Sequence, residues 1–394
     1  MNKKIISIFI PACLLLTTIQ SCKEDMLLPV ENDSVKPGII TNIKAVSRPG
    51  TVKLTYTLPS DPDLLYVIGE YTDKYGKTIQ NKASFYSDSL VVQGFADSLS
   101  HKMTLYAVDR SENKSNPVTI DVQALAPPIF GVKANLVLQE DFGGINVQFS
   151  NPVEADLAIV VSYKDSLGFF VENETFYTKL KQGAFTSRGF APKSTVFGVY
   201  IRDRWNNRTD TVFKTLTPIF EKELDKTKFR AVILPTDIAG YGNGLVIENM
   251  WDGIVAEGYA MWHSIGNAGM PMHVTFDLGV TAKLSRFTLW QRSGAYIYNH
   301  GNPKRYEIWG SVSPAADGSF TNWTLLTTCL SVKPSGGPTG VNTKDDVDAA
   351  ARGEENNIPL NAPKVRYIRV KILENWSGGS QGHIAEMKFF GNDI

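Results

Sequence analysis

Two stretches of this chain repeat one another. "TLPSDPDLLYVIGEYTDKYG" (57–76) returns as "QFSNPVEADLAIVVSYKDSLG" (148–168), with Pro59 on Pro152, Asp63 on Asp156 and Val67 on Val160. "LYAVDRSENKS" (105–115) returns as "VYIRDRWNNRT" (199–209), with Tyr106 on Tyr200, Asp109 on Asp203 and Asn113 on Asn207. A repeat of this period means one folding unit used twice. Its segments are short and alternate in polarity, as in "TVKLTYTLP", "SLVVQGF" and "KMTLYAVD", with Pro, Gly, Asn and Asp between them. No long stretch carries a helical period. The unit is therefore an antiparallel β-sandwich of about a hundred residues, expected over 38–126 and again over 127–218. Trp205 lies on a loop of the second copy and is its one large aromatic that invites a binding role.

A charged connector, 219–230, leads to a third unit, 231–394, of different texture. It holds six of the seven Trp and four of the five His. Its β-rich segments "MHVTFDLG", "LSRFTLWQR", "KRYEIWGS", "WTLLTTCL", "VRYIRVKIL" and "IAEMKFFG" suggest a jelly roll. Period-two alternation places Ile368, Val370 and Ile372 inward and Tyr367, Arg369 and Lys371 outward. The expected class is all-β: two immunoglobulin- or fibronectin III-like sandwiches, then a jelly-roll sandwich.

The N-terminus is a targeting segment. Lys3 and Lys4 precede the apolar run Ile5–Leu16, which is too short to span a bilayer, and Ser21-Cys22 closes it. Residues 1–21 are expected to leave and 22–37 to form a tether. Once Cys13 has left and Cys22 is modified, Cys329 stands alone, so no intrachain disulfide or cysteine metal site is available. Forty basic and forty acidic residues argue against nucleic acid as a partner.

Several resemblances sharpen this reading. "IQSC" resembles a lipobox, which implies that Cys22 carries lipid, and the following Lys23-Glu24-Asp25 resembles the surface-export signal of Bacteroidetes lipoproteins. The Tyr-x-x-Asp-Arg-x-x-Asn run of both repeats resembles the F-strand and turn of fibronectin type III domains. The series "WDG", "WHS", "VTFDLG", "FTLWQR", "KRYEIWGS", "RYIRVK", "IAEMKFFG" resembles the discoidin, or galactose-binding-like, fold of carbohydrate-binding modules. The whole layout resembles Bacteroidetes surface lipoproteins of polysaccharide-uptake systems. It implies an outer-membrane protein, anchored at Cys22 and facing outward, that binds glycan without catalysis. The alternative is an adaptor that docks an uptake protein.

Sugar binding needs a flat apolar face for the pyranose C–H side and planar donors for its hydroxyls. The loop after the "FTLWQR" strand supplies both, in Arg292, Tyr296, Tyr298, Asn299 and His300. Asn375 and Trp376 form a second candidate rim. The bland reading is that the tyrosines cap the barrel and Arg292 makes a salt bridge. The resemblance further implies a structural Ca²⁺ at an Asp-Gly turn, with Asp252 and Glu386 as carboxylate ligands. Here Ile254-Val255-Ala256 follows that turn, a departure which Glu257 or carbonyls would have to offset. Within the stretch "NMWDGIVAEGYAMWHS", Trp251 and Trp262 read as anchors of the jelly roll and His263-Ser264 as the start of its return segment. No His-Glu-x-x-His, Gly-x-Ser-x-Gly, phosphate-loop or dinucleotide motif is present. The acidic run "KDDVDAAARGEE" reads as a solvated loop with one helical turn.

Overall fold

The computed structural model describes residues 33–242, 244–255, 258 and 260–394. The signal segment, Cys22 and Glu257 lie outside the described residues. The chain divides into two compact units, 1–127 and 128–394.

In the first unit, among the described residues, a three-stranded sheet runs in the order Thr41–Arg48, Thr51–Thr57, Ser89–Gln93. It faces a four-stranded sheet in the order Thr78–Ser84, Leu64–Thr72, Ser100–Asp109, Val118–Gln123. Alternation builds the core: Val52, Leu54 and Tyr56 point in from Thr51–Thr57 and meet Val67, Tyr71, Met103 and Leu105. The tether is shorter than expected. Asn113 Nδ2 donates to the carbonyls of Asp33 and Val35, and Asp33 N donates to Ser111 Oγ, so residues from 33 onward are pinned to the sandwich.

The second unit opens with another sandwich of the same topology. Its sheets run Gln182–Arg188, Gly144–Ser150, Val137–Asp141 and Phe170–Thr178, Leu157–Lys164, Thr195–Arg202, Val212–Leu216. The repeated Asp-Arg-x-x-Asn motif is a clamp on one tight turn. Asp109 Oδ1 accepts from Asn113 N (2.8 Å) and Oδ2 from Asn113 Nδ2 (3.0 Å); Asp203 and Asn207 repeat both bonds at 2.9 and 3.0 Å. The turns need a left-handed residue just before the Asn, or next to it, and Glu112 (φ 62°) and Asn206 (φ 64°) supply it. The motif is structural in both copies. Trp205 is half-buried beneath the Arg204 guanidinium, 4.3 Å from the ring centroid.

The jelly-roll sandwich follows. Its organising element is the strand Met272–Trp290. The first half pairs with Val365–Asn375 (Phe276 opposite Ile368) and the second with Glu386–Asn392 (Phe287 opposite Phe389). The bend lies at Gly279, where φ is +71° and an added Cβ would meet Lys228 O at 2.5 Å, so only glycine fits. Phe276, Phe287, Phe389, Ile368, Val370, Ile372 and Tyr306 fill the core. The acidic run contains a helix, Lys344–Arg352, closed by a capping box from Thr343 and Asp346.

Two expectations are corrected. Arg369 does not face solvent: it is 0% exposed. Its Nε donates to Thr275 Oγ1 and Nη1 to Gly318 O, both at 3.0 Å, and its guanidinium lies between the rings of Phe320 and Trp323. Two cation–π faces and a carboxylate, Asp237 at 3.6 Å, offset the desolvation that the alternation rule ignores. The connector 219–230 is not a linker either. Lys222–Glu223 pairs with Phe390–Gly391 at the sheet edge, and Leu224 and Phe229 are buried in the jelly-roll core.

This second correction is testable. Phe229→Ala should destabilise the C-terminal domain by about 3–5 kcal/mol, as for other buried aromatics. Urea unfolding followed by tryptophan fluorescence reads this domain, because it carries all the tryptophans but Trp205. A loss within the range of surface substitutions, about 0.5 kcal/mol, would restore the linker reading.

Candidate ligand-binding loops of the C-terminal domain

The loop after Trp290 is organised by two buried amides. Gln291 Oε1 accepts from Tyr298 N at 2.6 Å. Asn302 Oδ1 accepts from Arg292 N (2.8 Å), and its Nδ2 donates to Tyr296 O (2.7 Å) and Arg292 O (3.3 Å). These bonds curl residues 291–302 into a compact turn and hold Tyr298 and His300 at φ 49°, a conformation costly for non-glycine residues. A third buried amide, Asn375, organises the neighbouring loop. Its Nδ2 donates to Gly379 O (2.9 Å) and Gln381 O (2.7 Å), and its Oδ1 accepts from Gly379 N (3.0 Å). Backbone bonds join the two loops: Trp376 N to Asn302 O, Ser377 N to His300 O and His383 N to Gly301 O.

The predicted rim residues divide accordingly. Tyr298 and Asn375 are buried. Their assignment as ligand contacts is corrected: Tyr298 forms a small core with Ile297 and Ala350, and the Asn375 amide is consumed by its own loop. Trp376 is half-buried, edge-on to Tyr298 at 5.2 Å, with Nε1 donating to Ser331 Oγ. Asn299 is half-buried and accepts from His300 N. Arg292, Tyr296 and His300 come together at the surface. The Arg292 guanidinium stacks on the Tyr296 ring at 3.5 Å, and Tyr296 meets His300 edge-on at 4.8 Å.

The structure adds residues to this group. Trp262–His263 pairs with His383–Ile384. Trp262 points into the core, so by strand alternation His263 points the other way, toward His383, with ring centroids 4.2 Å apart. Tyr241, 57% exposed, lies 5.5 Å from His263. His383 is 1% exposed, and neither of its ring nitrogens has a partner among the described residues. Burial, with the positive charge of His263, Arg292 and His300 nearby, lowers its pKa to about 3. A stacked guanidinium, the exposed His300 and the exposed ring of Tyr241, laid over the buried imidazole of His383, make a surface that suits a polar ligand with an apolar side. The signals were present in "WHS" and "QGH", since each His follows the core alternation of its strand one step out of phase.

The calcium turn is different. Glu386 is buried, and both its carboxylate oxygens are engaged. Oε1 is 2.5 Å from Lys226 Nζ, and Oε2 accepts from Gly253 N at 2.8 Å. Asp252 is exposed and turns Oδ1 onto Ile254 N (2.7 Å). Calcium needs six to eight oxygens at about 2.3–2.6 Å. An ammonium already inside that shell, with each carboxylate oxygen accepting from an N–H donor, does not fit it.

Three families, each described as a domain of unknown function, match consecutive stretches: DUF4959 over 37–124, DUF5126 over 125–227 and DUF5000 over 251–391. No curated protein matches the chain. Among solved structures, a SusE-like protein is 36% identical, with a TM-score of 0.46, over 68% of this chain and 100% of that one. The chain belongs to the SusE-like family. The C-terminal domain of a chitobiase from Bacteroides fragilis is 21% identical (TM-score 0.31; 44% of this chain, 99% of that one). A GH31 CBM32 module bound to GalNAc is 12% identical (TM-score 0.28; 41% and 95%). Among the described residues of this SusE-like chain, no helix is long and apolar enough to cross a membrane.

The buried imidazole gives a pH prediction. His383 titrates at about 3 when folded and near 6.5 when unfolded, so the unfolded chain binds the extra proton between these values. The contribution to stability is complete above pH 6.5 and is lost as pH falls toward 3. By pH 5 the loss reaches about 2 kcal/mol. Wild type should lose about that much more stability than His383→Gln between pH 7.5 and pH 5, in urea titrations followed by tryptophan fluorescence. Equal losses would show that the imidazole is solvated or paired.

Proposed function

We propose that this SusE-like chain is a non-catalytic surface protein, held in the outer membrane by lipid on Cys22, that captures glycan through Arg292, Tyr296 and His300 beside His263 and His383. One observation carries the reading: the Arg292 guanidinium stacked 3.5 Å from the ring centre of the half-buried Tyr296, with the exposed His300 edge-on to the same ring. The planar donors match vicinal hydroxyls, and Tyr241 and Tyr296 offer faces to sugar C–H groups. Membership of the SusE-like family supports the role in polysaccharide uptake.

One feature favours a second reading, docking of an uptake protein. Phe169, Phe170 and Phe213 are exposed on the second sandwich, and the rings of Phe170 and Phe213 touch at 4.8 Å. Affinity electrophoresis of the whole chain through gels cast with neutral and acidic polysaccharides separates the two. Retardation by at least one polysaccharide is expected, with affinity falling tenfold or more in Arg292→Ala, about the worth of a charged hydrogen bond. Phe170→Asp should leave it unchanged. Retardation untouched by Arg292→Ala would remove the proposed site. No retardation by any glycan, with co-purification of a membrane partner lost in Phe170→Asp, would establish the docking reading.

A further inference from the structure

We infer that the Lys226 ammonium is the resident cation of the Glu386 and Asp252-Gly253 turn, and that the jelly-roll domain is closed without a divalent ion. This inference does not depend on the glycan reading. The side chain of Lys226 reaches a carboxylate 160 residues away and sits 2.5 Å from Glu386 Oε1. Glu386 is almost wholly buried, and the remaining oxygen is taken by Gly253 N. The turn closes around the ammonium: Gly253 has φ +87°, and a Cβ there would lie 3.8 Å from Lys226 Nζ.

The lysine is held in place by its own segment. Lys226–Lys228 is a short 3₁₀ turn whose N-cap, Asp225, accepts from Thr227 N (3.0 Å) and Thr227 Oγ1 (2.7 Å). Leu224 and Phe229 on either side are buried in the core. The backbone that carries the ammonium is therefore fixed beside Glu386, and a divalent ion entering there would meet a like charge next to a buried carboxylate. The cation is supplied by the connector that the jelly-roll sheet takes in as its edge. Lys226 falls in the stretch matched by DUF5126, whereas Glu386 and the Asp-Gly turn fall in that matched by DUF5000. The connector thus serves as both edge strand and counter-ion.

Thermal unfolding of the purified whole chain by tryptophan fluorescence tests this, with Tb³⁺ luminescence sensitised by Trp251, the residue before Asp252, as a direct readout of cation binding. Wild type should show the same midpoint in excess calcium and in excess EDTA, and no saturable Tb³⁺ signal. Lys226→Met leaves Glu386 buried without a cation. Its midpoint in EDTA should fall by about 5–15 °C, calcium should restore part of the loss, and a Tb³⁺ signal should appear. A wild-type midpoint that rises with calcium, or a wild-type Tb³⁺ signal abolished by Glu386→Gln, would overturn the inference, whether or not the variant folds.

Discussion

One strand has to belong to two sheets. Met272–Trp290 pairs with one neighbour before Gly279 and with another after it, and the sandwich is what results when the chain turns that corner. The corner needs a residue without a side chain, because the connector's Lys228 carbonyl already occupies the space. Phe276 and Phe287, on either side of the bend, then face each other's partners across one core. The strand's far end leads to Arg292 at the surface, above the buried amides Gln291 and Asn302 that shape the loop. A bend in the middle of the fold thus fixes the position of its candidate site.

Buried polar groups do most of the shaping around that site. Asn302 and Asn375 each satisfy several backbone groups that no sheet could reach, which is why they are buried and why they are unavailable to a ligand. Glu386 with Lys226, and Arg369 with its aromatic clamp, are ionic versions of the same device. His383 differs from all of these. It is as deeply buried, yet its ring nitrogens have no hydrogen-bond partner among the described residues, so its imidazole is held by packing rather than by the bonds that fix the others.

Local signals were legible in the sequence. Alternation gave the strands and the inward set Ile368, Val370 and Ile372. The repeat anticipated two sandwiches, whose shared strand order the structure displays. What alternation could not show was any partner distant in the chain. Arg369 was expected outside because its clamp, Phe320 and Trp323, lies in another loop. The connector looked like a linker because its charges outnumber Leu224 and Phe229, although those two decide its place. Glu386 was read as a calcium ligand because Lys226, which engages it, is 160 positions away. In the candidate loop, Arg292, Tyr296 and His300 were chosen because stacking and donor chemistry can be read from residue type, and the structure brings the three side chains together. Tyr298 and Asn375 were misplaced because residue type does not reveal burial.

The central claim is that glycan meets the protein at Arg292, Tyr296 and His300, beside His263 and His383. The chain's five histidines provide the test and its controls, since His101 lies in the first sandwich and His273 packs against Phe320. Nitrogen-resolved imidazole spectra of the histidine-labelled whole chain, titrated with a polysaccharide that retards it in gels, should show His263, His300 and His383 shifting while His101 and His273 stay still. Shifts confined to His101 or His273, or saturation with no histidine moving, would contradict the account.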